Sequence, residues 1–431
     1  MNNMRKKELF KLAEIRVSNV DKKIYPDKEL VKLCNYMDVY NNDYINSNLS
    51  YSIGSADANE LLRFGLKKND VIITKDSETP DDIAISSIVT EDIVNLVCGY
   101  HLAIIRPNSD ELDGMFLMFK LKDNEIVRYF SNAAKGSTRF GLSIGDIENV
   151  IVKYPSLPEQ YRIAHILSTC DAVIEKTQTA VAKYKAIKQG MLHDLFTRGI
   201  DIRTGKLRPR CQDAPELYKE SKLGWIPKEW DCEGLSSVVE IISGGTPSTQ
   251  VKEYWNGEIP WLSVDDFNTG NRYASNAAKK ITDEGFKNSA TNMLLPGMLI
   301  ISARGTVGVI SQMKIPMAFN QSCYGLNSTN KYLSNDFLYY FLTYFIRFIG
   351  FNSYGSVFDV ITRNSFDEVF IPINKKSDEQ RLIVERLTAI DNKLQTEQTY
   401  LQKMQQLKKG LMEDLLSGRK KVSEPLINQI N

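Results

Sequence analysis

Two long stretches of the chain carry apolar residues at alternating spacings of four and three positions. Residues 157–196 read LPEQYRIAHILSTCDAVIEKTQTAVAKYKAIKQGMLHDLF, and residues 377–416 read SDEQRLIVERLTAIDNKLQTEQTYLQKMQQLKKGLMEDLL. A 3.5-residue apolar period held over about four heptads predicts a coiled-coil helix rather than a helix lying on a core. Pro158 near the start, and Gly199 and Gly418 beyond the ends, are typical of helix boundaries. Roughly 40 residues at ~1.5 Å each predict rods about 60 Å long.

Each predicted helix has its own apolar stripe. In the first it consists of Ile163, Leu167, Cys170, Ile174, Thr177, Val181, Tyr184, Ile187, Met191 and Leu195. In the second it consists of Ile383, Leu387, Ile390, Leu394, Leu401, Met404, Leu407, Leu411 and Leu415, interrupted by Glu397. We expect both stripes to be buried in a helix–helix contact.

The two stretches are also copies of each other. Moving the first by 220 positions, from 157 to 377, aligns them without a gap. The coincident residues are Glu159/Glu379, Gln160/Gln380, Ile163/Ile383, Leu167/Leu387, Asp171/Asp391, Lys188/Lys408, Gly190/Gly410, Asp194/Asp414 and Leu195/Leu415. A repeat of this period means two copies of one unit, and it predicts pseudo-twofold symmetry.

A globular segment of mixed short strands and helices precedes each long helix. KKNDVIITK (67–75) corresponds to LPGMLIISAR (295–304), a turn followed by a buried strand, and the other elements follow in the same order. The fold class is therefore α+β, with two α/β domains separated by long antiparallel helices. The predicted boundaries are 1–156 for the first domain, 157–198 for the first long helix, 199–232 for a proline-punctuated connector, 233–376 for the second domain, 377–418 for the second long helix and 419–431 for a tail.

Composition indicates an ordinary soluble globular protein. Charged residues make up 25% of the 431 positions and hydrophobic residues 42%, with a net charge of +1. The first 15 residues lack the apolar core of a signal peptide, and the apolar stretch from Phe337 to Phe351 is too short to span a bilayer. The 6 cysteines form no C-x-x-C pair, which argues against a disulfide framework or a zinc site. We expect a cytoplasmic protein.

Positive charge is concentrated near the ends of the long helices. The residues concerned are Lys183, Lys185, Lys188, Arg198, Arg203, Lys206, Arg208 and Arg210 in the first half, and Lys408, Lys409, Arg419, Lys420 and Lys421 in the second. They could dock a partner. The alternative is that they are solvated cations favoured by the helix dipole.

The sequence offers little for catalysis. Its 3 histidines have no metal-ligand spacing, and His101 falls on a predicted buried strand. No G-x-x-x-x-G-K-[ST] loop is present. The sequence also lacks the acidic-proline-aromatic motif of an amino-methyltransferase, and no lysine-bearing nuclease cluster follows Pro80-Asp81-Asp82. We therefore expect a binding subunit, not an enzyme, with no metal of its own.

The pattern as a whole resembles the specificity subunit of type I restriction-modification systems. The motifs that carry the resemblance are Glu-Gln-x-x-Ile at the start of each long helix, LGWIPKEWDCEGLSSVVEIISGGTPST (223–249), EYWNGEIPWLSVDDF (253–267), SARGTVG (302–308), FNQSCYGL (319–326) and GSVFDVITRNSFDEVFIPI (355–373). The first domain departs from the pattern, because KDSETPDDIA (75–84) replaces the SARGT loop.

The resemblance implies that each domain reads one half of a split double-stranded DNA target. Paired rods would fix the spacing between the halves. Two modification subunits would dock on the chain, with Lys183 and Lys188 on an exposed docking face, and methylate adenine using S-adenosylmethionine. Restriction subunits would add ATP- and Mg-dependent translocation and cleavage. No cofactor is expected on this chain. The alternatives are a DNA reader in another modification or phage-defence complex, and a protein-only coiled-coil scaffold.

The candidate DNA-contacting residues are polar or glycine residues in turns that follow buried strands. Arginine suits guanine or a phosphate, and amides suit adenine. In the second half they are Gly244, Gly245, Thr246, Ser248, Ser302, Arg304, Thr306, Asn320, Gln321, Ser322, Gly355 and Ser356; in the first half they are Lys75, Ser77, Lys135, Ser137, Thr138 and Arg139. Gly244 and Gly245 would let backbone N–H groups approach phosphates. The alternative is that these are turn-forming residues bonded to their own backbone.

Overall fold

The computed structural model describes residues 4–346, 360–375 and 377–422. The chain divides into two compact units, Met1–Gln178 with Thr399–Asn431, and Thr179–Gln398. Each unit contains one globular domain together with about one half of each long helix. Among the described residues, no helix is long and apolar enough to cross a membrane.

In the first unit, short strands alternate with short helices. The strands are β1 (Arg5–Glu8), β2 (Ala13–Val17), β3 (Glu29–Cys34), β4 (Tyr44–Ile45), β5 (Ser52–Ala56), β6 (Val71–Thr74), β7 (Asp76–Ser77), β8 (Ser86–Val89), β9 (Leu96–Cys98), β10 (Leu102–Pro107), β11 (Phe140–Gly141) and β12 (Ile151–Tyr154). The helices are α1 (Tyr36–Asn41), α2 (Ala58–Phe64), α3 (Gly114–Leu121), α4 (Asn124–Ala133), α5 (Ile144–Glu148) and the first half of α6 (Leu157–Thr197).

The core of this unit is a five-stranded sheet in the order β2-β10-β6-β8-β4. Its central strands are apolar on both faces because both faces are covered. Val71 and Ile73 of β6 pack with α3, whereas Ile72 between them packs with the three-stranded sheet β5-β3-β9. The period-two alternation of a strand thus divides its side chains between two cores.

The second unit is built from the later strands and helices. The strands are β13 (Ile200–Asp201), β14 (Lys206–Leu207), β15 (Tyr218–Ser221), β16 (Gly224–Pro227), β17 (Trp230–Gly234), β18 (Val239–Ser243), β19 (Trp255–Leu262), β20 (Tyr273–Ala274), β21 (Lys279–Ile281), β22 (Met293–Leu294), β23 (Leu299–Ser302), β24 (Ile310–Met313), β25 (Met317–Phe319), β26 (Cys323–Ser328) and β27 (Phe370–Asn374). The helices are the second half of α6, then α7 (Leu235–Val238), α8 (Val264–Phe267), α9 (Asp283–Lys287), α10 (Asn335–Tyr344) and the first half of α11 (Ser377–Leu416).

The second unit repeats the topology of the first. Its five-stranded sheet has the order β18-β26-β23-β24-β20, which matches β2-β10-β6-β8-β4 position by position. In both sheets the last pair is parallel, β20 with β24 and β4 with β8, and the other neighbours are antiparallel. The expected common order of elements is therefore observed.

In each unit the two long helices meet through a carboxylate that also binds the domain. Lys408 of α11 pairs with Asp171 of α6, and the Tyr44 hydroxyl donates to the same carboxylate at 2.8 Å. In the second unit Lys188 Nζ lies 2.6 Å from Asp391 Oδ1, and the Tyr340 hydroxyl donates to Asp391 at 2.8 Å. Residues that are 220 positions apart in the sequence thus make the same contact in both units.

The structure corrects two expectations about the helix surfaces. Lys188 was expected on an exposed docking face, but its side chain is only 19% exposed because it pairs with Asp391. Ile187 and Leu407 were expected in the buried stripe, but they are 39% and 48% exposed. Leu192 and Phe196, which are not in the stripe, are buried in the core of the domain, so a strict heptad stripe does not describe which positions are covered.

The predicted connector, residues 199–232, is folded. β13 pairs with β14, β15 pairs with β16, and the last strand, β17, pairs with β27 of the domain. Its Arg208 forms an ion pair with Glu379, which is 1% exposed near the start of α11. The same carboxylate accepts hydrogen bonds from the Ile200 N–H at 2.7 Å and the Trp230 indole at 3.1 Å. The connector is therefore anchored to α11 by a buried charge with several donors, as such a charge requires.

Different chemistry holds the C-terminal ends of the long helices. In the first unit Lys120 of α3 is 2% exposed and donates to the Leu416 carbonyl of α11 at 2.9 Å. A buried cation is favourable there because the helix dipole and the free carbonyls are negative at that end. In the second unit Phe196 of α6 packs instead against Phe337 and Phe341 of α10, with ring centroids 5.2 and 5.6 Å apart.

We predict that Lys188 and Asp391 are energetically coupled. Asp391→Asn should weaken the second unit by ~1–3 kcal/mol, because it removes the negative charge that pairs with a partly buried ammonium and leaves one side-chain oxygen for two donors, Lys188 and Tyr340. In a double-mutant cycle with Lys188→Met, the coupling should be ~0.5–3 kcal/mol. Hydrogen exchange of α11 amides near Asp391 measures both quantities. The exposed Lys185→Met is the matched control, and additive losses in the cycle would contradict the pairing.

Candidate nucleic-acid interface

Three loops meet at one end of the five-stranded sheet in the second unit. They are residues 244–248 after β18, residues 303–309 between β23 and β24, and residues 320–322 before β26. The Thr246 hydroxyl donates to the Gln321 side chain, and the Ala303 N–H donates to the Ser322 carbonyl at 2.8 Å. The structure therefore brings the predicted residues of this half together at one corner, which we call the second reading corner, residues 244–248, 303–309 and 320–322.

Several polar side chains at this corner reach the surface. Arg304, Thr306, Gln321 and Ser248 are exposed, and Asn320, Ser322 and Thr246 are partly exposed. Arg304 is held by a backbone bridge to Val360 that leaves its guanidinium at the surface. Gly355 and Ser356 lie outside the described residues. The exposed set combines a guanidinium, amides and hydroxyls, which are the groups that hydrogen-bond base edges and phosphates.

Three predicted residues serve the turn itself. A Cβ on Gly244 would lie 2.0 Å from the Asn320 carbonyl oxygen, so this glycine permits a close backbone approach. The Gly245 N–H donates to the Phe319 carbonyl at 3.0 Å and is not available to a phosphate, contrary to the expectation for this amide. Ser302 is buried, and its hydroxyl accepts from the Val309 N–H at 2.8 Å. These three residues therefore fit the alternative interpretation, in which the candidates form the turn and bond to its own backbone.

The first unit has a corresponding corner, formed by residues 75–77, 99–101 and 135–141. β7 pairs with β11, which sets Asp76 opposite Gly141 and Ser77 opposite Phe140. The loop from Lys135 to Arg139 is exposed, so Ser137 and Thr138 also face solvent. Ser77 is buried and accepts from the Thr79 N–H at 3.3 Å, so its hydroxyl belongs to the turn. We call this set the first reading corner.

His101 belongs to the first reading corner, although sequence reasoning placed it on a buried strand. It lies in the turn just before β10, with a φ of 71° and a side chain that is 27% exposed. Its Nδ1 is 2.5 Å from Asp76 Oδ2, and its Nε2 is 3.3 Å from Arg139 Nη2. The signal that could have revealed the turn is Gly99-Tyr100-His101 between two apolar runs, since histidine is among the residues that tolerate a positive φ.

Asp76 is the anion at the centre of this corner. It accepts from His101 and, at 3.1 Å, from Lys75 Nζ. Burial alone would raise the pKa of Asp76, but the hydrogen bonds from His101 and Lys75 outweigh burial and lower it. One carboxylate therefore organises cationic groups that come from different loops.

Backbone hydrogen bonds show which residues of the two corners correspond. The Lys75 N–H donates to the His101 carbonyl at 2.8 Å, and in the second corner the Ala303 N–H donates to the Ser322 carbonyl at the same distance. The Leu142 N–H donates to the Lys75 carbonyl at 3.0 Å, and the Ile361 N–H donates to the Ala303 carbonyl at 2.8 Å. Asp76 therefore occupies the place of Arg304, and His101 occupies the place of Ser322.

A DNA-reading subunit with two related domains is the class that this fold and these corners define. The chain belongs to the family of type I restriction modification DNA specificity domains. The sequence model of this family matches residues 4–184 and, a second time, residues 227–406.

Individual relatives agree with this assignment. The chain is 25% identical over 332 residues to the putative type I restriction enzyme MjaX specificity subunit of Methanocaldococcus jannaschii, covering 76% of this chain and 73% of that protein. It is 22% identical over 369 residues to the MjaVIII specificity subunit of the same organism, covering 83% and 80%. The crystal structure of the type I restriction-modification S subunit from M. genitalium shares the fold, with a TM-score of 0.61 over 96% of both chains at 17% identity.

We predict that Gly244→Ala disturbs the second reading corner. The added methyl would meet the Asn320 carbonyl, and such overpacking costs about 1–3 kcal/mol. Hydrogen exchange of the amides in residues 319–326 should accelerate. Gly234→Ala is the matched control, because a Cβ there meets nothing within 4 Å. Equal exchange in the two variants would show that the close approach at Gly244 is not needed.

We also predict that the stabilisation provided by Asp76 depends on pH. Because its pKa is lowered in the folded state, the ionised group stabilises the fold at neutral pH and that contribution is lost on acidification. The difference in unfolding midpoint between wild type and Asp76→Asn should therefore be largest near pH 7 and shrink as the pH falls below about 4. The exposed Asp27→Asn is the control. A difference that grew towards low pH would contradict the assignment.

Proposed function

We propose that the chain is the sequence-specific DNA-reading subunit of a type I restriction-modification complex. The observation that carries this proposal is the duplicated reading corner: the same turns, fixed by the same backbone hydrogen bonds, recur in two domains of one chain with different side chains. Two domains that present different exposed groups on one scaffold suit a target made of two different halves.

The exposed groups of the corners fit DNA better than a small substrate. Arg304 and Arg139 can donate to guanine or to phosphates, and the amides of Asn320 and Gln321 can pair with adenine. Lys75, Lys135, Ser137 and Thr138 add phosphate-binding groups in the first half. In this proposal the chain contributes no catalytic residue and binds no cofactor, and recognition comes from these hydrogen-bonding groups.

The catalytic work then belongs to partners. Two modification subunits would carry S-adenosylmethionine and methylate adenine, one for each half of the target. Restriction subunits, with ATP and Mg²⁺, would cut DNA that lacks methylation. Since the target is duplex DNA, we place the complex in the cytoplasm and not on a membrane. Two other candidates are a DNA reader in a different modification or phage-defence complex and a protein-only scaffold.

The test that separates DNA reading from scaffolding uses a randomised duplex library. The full chain with its co-expressed modification subunit should select or methylate a sequence in two constant parts separated by a non-specific spacer. Selection of no sequence at all would favour the scaffold. Replacing the co-expressed partner by modification subunits from other systems would separate a type I complex from another assembly, because only the cognate partner should support methylation.

We predict that Arg304 acts on the second half-site alone. Arg304→Ala should relax the preference at one base pair by ~1–3 kcal/mol if the guanidinium reads guanine. If it binds a phosphate, affinity should fall for all sequences and the salt slope should decrease by about one. Profiling of the library at two salt concentrations distinguishes these results.

The matched control for this experiment is Arg381→Ala, an exposed arginine on α11 of the same unit. Its profile should equal that of the wild type. A wild-type profile and affinity for Arg304→Ala as well would show that Arg304 only forms the turn, and a change in the first half-site would show that the two corners do not read independently.

A further inference from the structure

His101 has a backbone conformation that its environment must maintain. A φ of 71° lies in the left-handed region, which is disfavoured for a residue with a side chain. The side chain is fixed on two sides, by Asp76 at 2.5 Å and by Arg139 at 3.3 Å, and the Tyr100 ring lies edge-on with its centroid 4.0 Å away. Such a conformation at a surface corner calls for a reason other than packing.

The contacts define how the imidazole is held. Asp76 has a lowered pKa and is an acceptor, so Nδ1 carries a proton and donates to it. Nη2 of Arg139 lies 3.3 Å from Nε2 and 3.5 Å from Nδ1, so the guanidinium lies against the ring and not in line with one of its nitrogens. Asp76 therefore fixes the ring, and the ring supports the guanidinium.

The comparison between the two corners explains why the Asp76–His101–Arg139 arrangement occurs in the first corner. In the second corner Arg304 lies on the turn after β23, and its backbone bridge to Val360 fixes its place. In the first corner that place belongs to Asp76, so a guanidinium has to come from the neighbouring loop. Arg139 is exposed on that loop, and among the described contacts its guanidinium is oriented by His101.

We propose that His101, oriented by Asp76, is a positioning residue that holds the Arg139 guanidinium in place to contact DNA in the first half-site. This inference rests on the proposed function and assigns roles in it to two residues, Asp76 and His101, that lie outside the set of DNA contacts. Arg139 touches the DNA, and His101 acts through it. Ser322 occupies the equivalent place, and the contacts described for it are with Asn320 and Ala303 and not with Arg304.

Recognition by the first corner should therefore depend on the imidazole ring. The groups around it are Asp76 on β7, Lys75 before it, Arg139 on the adjoining loop and Tyr100 beside it. Without the ring, nothing joins Asp76 to the Arg139 guanidinium. First half-site recognition should then weaken while recognition of the second half-site stays constant.

The experiment compares His101→Asn with wild type in the full chain with its modification subunit, on the randomised duplex library. Asparagine tolerates a positive φ but is too short to replace the imidazole between Asp76 and Arg139. The variant should lose at least about fivefold of discrimination at one base pair of the first half-site, or the same factor of affinity for all sequences if Arg139 binds a phosphate. Arg139→Ala should produce the same change, and the double variant should add nothing further.

Two readouts distinguish positioning from mere stability. In His101→Asn the first half-site preference should fall while the second half-site preference stays at the wild-type level. His101→Gln, whose side-chain carbonyl can accept from Arg139, should restore part of the preference at neutral pH. The control His165→Asn changes an exposed histidine on α6 and should match the wild type.

The possible outcomes separate this inference from the proposed function. Loss in the first half-site with an intact second half-site supports the inference. A wild-type profile in His101→Asn, or an equal loss in both half-sites, overturns the inference and leaves the DNA-reading function standing. The absence of any selected sequence with the wild-type chain overturns the proposed function itself.

Discussion

One carboxylate in each unit joins three parts of the chain that are distant in sequence. Asp171 or Asp391 receives a lysine from the opposite long helix and a tyrosine hydroxyl from the domain. Apolar packing alone would tolerate sliding of one helix along the other, because a heptad stripe repeats. A directional ion pair does not repeat, so it specifies one register, and the tyrosine ties that register to the position of the domain.

Much of this scaffold can be predicted from the sequence. The gap-free repeat and the 3.5-residue period predict α6 and α11, and the order of elements predicts two related α/β domains. The exposed positions of Ile187 and Leu407, and the paired state of Lys188, could not be predicted. Periodicity shows which residues share a helix face, but not which face a domain covers, and a lysine in a charged run looks the same whether or not a carboxylate lies opposite.

At the reading corners the limit is of a different kind. The sequence places Arg304 and Gln321 in turns after strands, whereas Arg139 lies in the loop between α4 and β11, and the structure brings each into a cluster. Residue type does not reveal whether a polar group is already satisfied within the turn. Ser302, Ser77 and Gly245 therefore look like candidates in the sequence, although their hydrogen-bonding groups face inward. His101 was missed for the converse reason, since one polar residue at the start of an apolar run resembles the strand that it precedes.

The two corners separate what must be constant from what can vary. Backbone hydrogen bonds between Lys75 and His101, and between Ala303 and Ser322, keep the turns in the same place and do not depend on side chains. The charge at the equivalent position is therefore free to change from Asp76 to Arg304. Reversal of that charge cannot stand alone, because a partly buried carboxylate needs donors. His101 and Lys75 meet this need. A change at this one position thus requires matching changes on the neighbouring turns, so each corner varies as a connected set of side chains on a fixed backbone.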